Sequence, residues 1–244
     1  MPKHLALVNS NSQKRNQLAN LLFIEMSRNS ILMTIFAHQD DETFSAGGTL
    51  AKHVNSIAVS VTKDINRETE FQAACVHLRT KPVILNFQTI STQNQAAIKE
   101  NLIEILRDYK PTHVITHLEF DYHFEHRLLR TIVEEAIEWA SHSTKIGGPG
   151  HQVRKLYAAE TTVLIPVPEI LIDTSKSNAQ MVKAIAEYES QSHKGGEGFY
   201  AKFHAAKTKL RGIQASTDYA EAFTRVNLVE VGSFKPNKAM EYLD

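Results

Sequence analysis

The sequence predicts one α/β domain with a Rossmann-like, mainly parallel β-sheet flanked by helices. Short apolar runs rich in β-branched residues alternate with stretches of helical periodicity, which is the pattern of βαβ units. The 244 residues suit one large domain with a sizeable core better than two small ones. No internal repeat or low-complexity tract interrupts the alternation.

The elements follow in order. ILMTIFAH at 31–38 has the composition of a strand buried on both faces. The glycines at 47 and 48 read as the opening of a helix, and IAVSVTK at 57–63 as a second strand. A helix is expected from about Arg67 to Leu78, followed by a third strand, PVILNF. Between Gln93 and Tyr109, the positions Ile98, Leu102, Ile105, Leu106 and Tyr109 form one face of an amphipathic helix. PTHVITHL at 111–118 is the fourth strand, with proline at its start where no ladder donor is lost.

Leu129, Ile132, Val133, Ala136, Ile137 and Ala140 mark another core-facing helix. IGGPG at 146–150 is read as a loop within the domain. Strands are expected near 153–173, a helix from Ser177 to Ser190 and a helical run over 200–212. The domain is therefore set at 31–244. Residues 1–30 form an extension of unclear role, either a docking helix or an arm.

Composition removes several function classes. The 27 basic and 27 acidic side chains cancel, so no long-range field draws nucleic acid or anionic lipid. No apolar run approaches the roughly 18 residues that cross a bilayer, and LLFI at 21–24 is too short for a secretory signal. A cytoplasmic protein without nucleic-acid partners or a membrane span is expected, with homo-oligomerisation left open. The single cysteine, Cys75, excludes an intramolecular disulfide and a multi-thiolate zinc site; it reads as a core side chain.

Twelve histidines are many for this length, and four of them, His113, His117, His123 and His126, lie close together. The first strand runs directly into His38-Gln39-Asp40-Asp41-Glu42. In open parallel sheets, ligands bind outside the carboxyl ends of the strands. Acidic groups crowded there need compensation, which a divalent cation provides. One tight turn would aim His38 and Asp41 at a single ion, leaving Asp40 beside it as a base. The bland alternative is that Asp40 and Asp41 cap the next helix.

DYHFEHR, just past the fourth strand, changes that balance by bringing His123 and His126, with Asp121 and Glu125, to the same sheet edge. Two histidines and one carboxylate with an open position make a catalytic zinc site. Asp121 and His117 are candidates for the pocket wall, though His117 is equally read as the end of its strand.

These motifs resemble the LmbE-like (PIG-L) family of zinc-dependent de-N-acetylases, whose usual forms are AHPDDE and HPDH. Further likeness lies in Arg67 and Glu70, in Ile172-Asp173, in Ser190-Gln191, and in RGIQASTDYAEAF at 211–223. The resemblance implies zinc, with Fe2+ or Co2+ as ligand-compatible substitutes, and an N-acetylated amino sugar or its conjugate as substrate. By the family pattern, His38, Asp41 and His126 hold the metal and Asp40 is the general base. His123 stabilises the oxyanion, Glu125 orients His123, and Arg67 binds substrate, a role also assigned to Asp121.

Three departures stand out. Gln39 replaces proline and loosens a turn that proline would stiffen; Phe124 and Glu125 replace the inner Pro-Asp of HPDH; and the connection from strand two to Arg67 is short. The altered neighbours of His123 motivate an alternative, a catalytically impaired member that binds metal or sugar. A nucleotide-binding oxidoreductase is disfavoured, because HQDDE stands where G-x-G-x-x-G would be and would repel a pyrophosphate. Lys194-Gly195-Gly196-Glu197-Gly198 lacks a P-loop pattern and reads as a loop. Trp139 reads as packing.

Overall fold

A computed structural model describes residues 30–142, 149–196 and 198–228. The readings for residues 1–29 and for Ile146–Gly148 fall outside the described residues. Seven strands form one sheet: β1 (Leu32–Phe36), β2 (Ser56–Thr62), β3 (Lys81–Phe87), β4 (His113–His117), β5 (Lys155–Ala159), β6 (Ile170–Asp173) and β7 (Ala220–Val226). Six α-helices connect them: α1 (Asp41–Lys52), α2 (Glu68–Leu78), α3 (Gln95–Tyr109), α4 (Phe124–Ser141), α5 (Asn178–Ala186) and α6 (Phe199–Gln214).

The strand order is β3-β2-β1-β4-β5-β7-β6. Strands β1 to β5 pair in parallel, whereas β7 runs antiparallel between β5 and β6. The chain leaves β1 in one direction to build β2 and β3, then returns to lay β4 on the other flank of β1. The crevice where the order reverses lies between the carboxyl ends of β1 and β4, the usual ligand position in such sheets.

Alternation along β1 divides the core. Met33 and Ile35 join Ile98, Leu102 and Leu106 of α3 and Leu129 and Val133 of α4. Leu32 and Phe36 point the other way, towards Leu50 of α1 and Phe71, Cys75 and Leu78 of α2. Cys75 is buried in this second layer. Pro82 is tolerated because β3 is an edge strand.

Three readings are corrected. The helix read as opening at the glycines starts at Asp41, and its backbone is non-helical at Ala46 (φ −146°, ψ 21°). Glu221 of β7 takes the N–H groups that this bend frees, accepting from Gly48 N (2.7 Å) and Thr49 N (2.8 Å). A Cβ on Gly48 would stand 2.7 Å from Thr174 Cβ, so the glycine lets α1 approach its neighbour. The helix expected to reach Ser190 ends at Ala186, followed by a 3-10 turn over Glu189–Gln191. Finally, residues 220–223, carried in the sequence only as part of a terminal motif, open strand β7.

Helix α6 packs on α1 through a column of rings: His204 stacks on Phe44 (4.6 Å, 3°), which stacks on Tyr200 (5.1 Å, 10°). His204 is buried and neither ring nitrogen has a partner among the described residues. Burial, then the nearby Lys207 ammonium, push its pKa well below the usual histidine range. The native state thus holds His204 neutral, while the unfolded chain binds a proton below about pH 6.5. Unfolding free energy is expected to fall with decreasing pH below that point, by up to about 1.4 kcal/mol per unit from this group. Urea titrations between pH 7 and pH 5 check this, and His204→Phe should flatten part of the slope.

Candidate metal and catalytic site

Strand β1 ends at Phe36, and the chain enters a tight turn from Ala37 to Asp41. The Ala37 N–H donates to His117 Nε2 (2.9 Å), while its carbonyl accepts from Thr62 N (2.9 Å) and Thr62 Oγ1 (2.8 Å). The turn is therefore pinned to both neighbouring strands. His38 N donates to Asp41 Oδ2 (2.9 Å), folding the two side chains towards one another. Between them Asp40 adopts φ 133°, a conformation that costs a non-glycine residue of order 1–3 kcal/mol and concentrates at functional sites. The buried Glu42 supports it by accepting from Asp40 N (3.1 Å), with Tyr188 Oη (2.6 Å) and Thr43 Oγ1 (2.6 Å) completing its shell.

Across the crevice, the loop after β4 and the first turn of α4 deliver Asp121, His123, Glu125 and His126. His38 Nδ1 and His126 Nε2 are 3.2 Å apart, and each is 3.3 Å from Asp41 Oδ2. Ligand atoms around a tetrahedral ion at about 2.0–2.1 Å stand roughly 3.3–3.4 Å from one another. The triangle is thus one face of such a shell.

The opposite nitrogen of each imidazole faces a carboxylate. His38 Nε2 hydrogen-bonds Glu125 Oε2 (2.6 Å), and His126 Nδ1 lies 3.2 Å from Asp121 Oδ2. Carboxylates behind metal-binding histidines fix ring orientation and raise ligand basicity. His38, Asp41 and His126 therefore fit a divalent transition ion by atom type, spacing and support. The other two trios within 4.8 Å, His38/His123/Glu125 and His117/Asp121/His126, reuse these same imidazoles with carboxylates already engaged behind them.

Burial lowers the basicity of His38 and His126, but their carboxylate partners outweigh it and lift them to about 9 and about 10. Burial pushes Asp41 up, and the surrounding imidazoles, His126 foremost, overcome this and hold it well below the carboxylate range. Two protonated imidazoles would repel across 3.2 Å, whereas one cation would replace both protons. Asp40 is pushed up to about 8 by burial and by Asp41, against the pull of Arg67, whose Nη1 stands 3.0 Å from Asp40 Oδ2. His123 is lowered by burial and by the neighbouring imidazoles; its ring lies 5.0 Å from that of His38 and lines the same cavity.

Other expected site residues take different places. Glu125 does not orient His123: its hydrogen bonds go to His38, to Ile90 N (2.9 Å) and to Thr89 Oγ1. The extra methylene, from the first turn of α4, carries the carboxylate to the β3–α3 loop. Asp121 is buried behind His126 and accepts from His123 N (2.9 Å), so it does not line the cavity. Arg67 lines the cavity but is engaged with Asp40 and, through Nε, with Asp64 Oδ2 (3.0 Å).

His117, the last residue of β4, is fully buried and stacks on His126 (3.8 Å, 10°), so it supports that imidazole rather than meeting the cavity. Gln39 does not loosen its turn, because its side-chain oxygen accepts from Asp64 N (2.7 Å). Trp139 is half-exposed and borders none of the cavities at the site.

Sequence reasoning missed much of the cavity wall: Phe44, Tyr122, Thr161, Thr162, Tyr200 and, beyond its motif, Gln191. A signal existed for the last: Glu70 accepts from Ser190 N (2.8 Å) and Oγ (2.6 Å), joining two family motifs and setting the neighbouring Gln191 at the wall. Lys194, read as a loop residue, also borders the cavity.

Residues 33–137 match the model of the family described as PIG-L, GlcNAc-PI de-N-acetylase. That stretch includes the whole His38–Asp41–His126 triangle. Over it, the chain matches the PIG-L (LmbE-like) family model. Solved structures agree on the fold. The conserved protein TT1542 from Thermus thermophilus has a TM-score of 0.71 at 22% identity, covering 84% of this chain and 98% of that one. The N,N'-diacetylchitobiose deacetylase from Pyrococcus horikoshii has a TM-score of 0.68 at 19% identity, covering 91% and 97%. GalB, a 4-carboxy-2-hydroxymuconate hydratase from Pseudomonas putida, also has a TM-score of 0.68 at 19% identity, covering 84% and 99%. At these identities the likeness is one of fold, and a deacetylase and a hydratase share it; the reaction must be argued from the site.

If Glu125 orients His38 as a ligand, Glu125→Ala should weaken zinc binding by about 10–100-fold. Competition with a chromophoric chelator measures this, and unchanged affinity would refute the assignment.

Proposed function

We propose that this PIG-L chain is a metal-dependent hydrolase that removes the N-acetyl group from an N-acetylated amino sugar or its conjugate, releasing acetate and a free amine. The triangle of His38 Nδ1, His126 Nε2 and Asp41 Oδ2, with edges of 3.2, 3.3 and 3.3 Å, is the observation that carries the reading. Zinc suits two imidazole nitrogens and one carboxylate, and Fe2+ or Co2+ accept the same donors.

An amide is a poor electrophile with a poor leaving group. A divalent cation on the triangle supplies Lewis acidity, acidifying water and polarising the acetyl carbonyl. Asp40 then takes the proton of the attacking water, its carboxylate steered by the Arg67 guanidinium at 3.0 Å. The strained backbone of Asp40, backed by Glu42, holds this base beside the ligands without making it one. His123 donates to the oxygen that gains charge, a contribution of about 10²–10³ in rate for one donor of this kind. The departing amine recovers from Asp40 the proton taken from the water. Glu125 is bonded to His38, and the buried Nδ1 of His123 has no partner among the described residues, so the alternative of a catalytically impaired member keeps its motive.

No described helix is long and apolar enough to cross a membrane, and a cytoplasmic setting accords with the one buried thiol. Asp40→Asn should retain a stoichiometric metal while lowering acetate release by about 10²–10⁴-fold. Metal analysis with a panel of N-acetylated amino sugars tests this; equal turnover in the two proteins, or no hydrolysis of any panel member by metal-loaded wild type, would overturn the reading.

A further inference from the structure

We propose that the substrate's amino sugar carries a compact aromatic group, and that this group lies in an apolar groove between α5 and α6 that shares its Phe44 and Tyr200 wall with the catalytic cavity. The inference rests on the deacetylase reading and narrows its substrate class.

Three cavities adjoin one another at the carboxyl end of the sheet. The catalytic cavity, about 150 Å³, holds Asp40, Asp41, His123 and His126. On one side, sharing His38 and Arg67 with it, lies a polar cavity of about 520 Å³ that also takes in Lys63, Asp64 and Gln88. On the other side, sharing Phe44, Tyr200 and Gln191, lies a groove of about 280 Å³. The shared residues set the groove and the polar cavity directly beside the cavity that holds Asp41 and His126.

The groove's chemistry is nearly all apolar. Met181 and Ile185 of α5 form one wall, and Ala201 and Ala205 of α6 form the other. These two alanines sit one helical turn apart, and their small side chains leave the space that larger residues would fill. Tyr188 also lines the groove, but its hydroxyl is committed to Glu42 at 2.6 Å, so it offers the occupant no free donor. At the inner end, Phe44 and Tyr200 are already stacked in parallel, 5.1 Å apart. An incoming ring would meet aromatic surface there, an arrangement favoured beyond simple burial.

The groove's size suits a compact group. Small-ligand pockets run from roughly 300 to 1,000 Å³, and 280 Å³ falls just below that range. The polar cavity beside Arg67 is the larger and suits the hydroxyl-rich part of the molecule. The sugar carries its acetamide and its aglycone on adjacent carbons, so the amide at the metal triangle puts the aglycone next to Phe44 and Tyr200 while the hydroxyls take the polar cavity.

The test compares kcat/KM of the zinc-loaded full chain for phenyl N-acetyl-β-glucosaminide, the n-hexyl analogue and free N-acetylglucosamine. In parallel, binding of phenyl β-glucoside, which has no acetamide, is measured by calorimetry. The phenyl substrate should be favoured over the free sugar by about tenfold, the worth of about 1.4 kcal/mol of ring contact. The preference should reside in KM and shrink to about twofold or less in Ala201→Phe, at the same scale of ring contact. Val182→Asp at a half-exposed groove position should act in the same direction if the larger ring misfolds the helix.

Equal kcat/KM for phenyl and free sugars would overturn the proposal, as would a preference untouched by both variants. A hexyl substrate favoured over phenyl would overturn the aromatic assignment. If no acetylated sugar is hydrolysed, the binding arm decides. Phenyl β-glucoside bound by wild type and lost in Ala201→Phe would support the groove while the deacetylase reading fails; no binding would overturn the groove as well.

Discussion

The site turns on charge confined at the switch point of the sheet. Asp40, Asp41, Glu42 and Asp121, with the half-buried Glu125, meet between β1 and β4, where burial removes much of the water that would screen them. Each carboxylate is tied by a different device. Arg67 holds Asp40, hydroxyl and amide donors hold Glu42, and imidazoles hold Asp41, Asp121 and Glu125. Only Asp41 Oδ2 and the inward nitrogens of His38 and His126 are left crowded on a common point. A divalent cation satisfies all three at once, and the carboxylates behind the rings then become orienting groups rather than a liability.

Much of this was legible in the sequence, because it follows from local rules. A β-branched run leading straight into HQDDE places those side chains at a strand's carboxyl end whatever the tertiary detail. The helical spacing of His123 and His126 sets them within one turn of α4. What escaped depends on reach and direction. Glu125 and the aspartate it replaces differ by one methylene, yet the longer side chain meets His38 and the β3–α3 loop. Asp121 turns inward because His126 Nδ1 and His123 N both draw it. β7 was hidden because an antiparallel strand inserted between β5 and β6 has no βαβ signal.

The C-terminal third contributes structure and walls to the site. Glu221 secures the bend of α1, the segment that begins with Asp41, and the buried Lys207 donates to the carbonyls of Phe44 (2.7 Å), Glu160 (2.8 Å) and Thr161 (3.1 Å). Phe44 and Thr161 border the cavity that holds Asp41 and His126, so α6 fixes the wall facing the His38–Asp41–His126 triangle without contributing to the triangle. Gly212 lets the turn after α6 fold back on the helix, since a Cβ there would stand 2.6 Å from the Asp218 carbonyl. The motif residues Gly212 and Glu221 are thus architectural, as is Arg211, which donates to the buried Glu160 and to the Ile165 carbonyl.

The decisive measurement is X-ray absorption at the zinc edge of the zinc-loaded protein. A shell of about four nitrogen and oxygen neighbours near 2.0–2.1 Å, with outer scattering from two imidazole rings, is expected. A shell of six oxygens without imidazole scattering would contradict the account, because the ion would then be bound somewhere other than between His38 and His126.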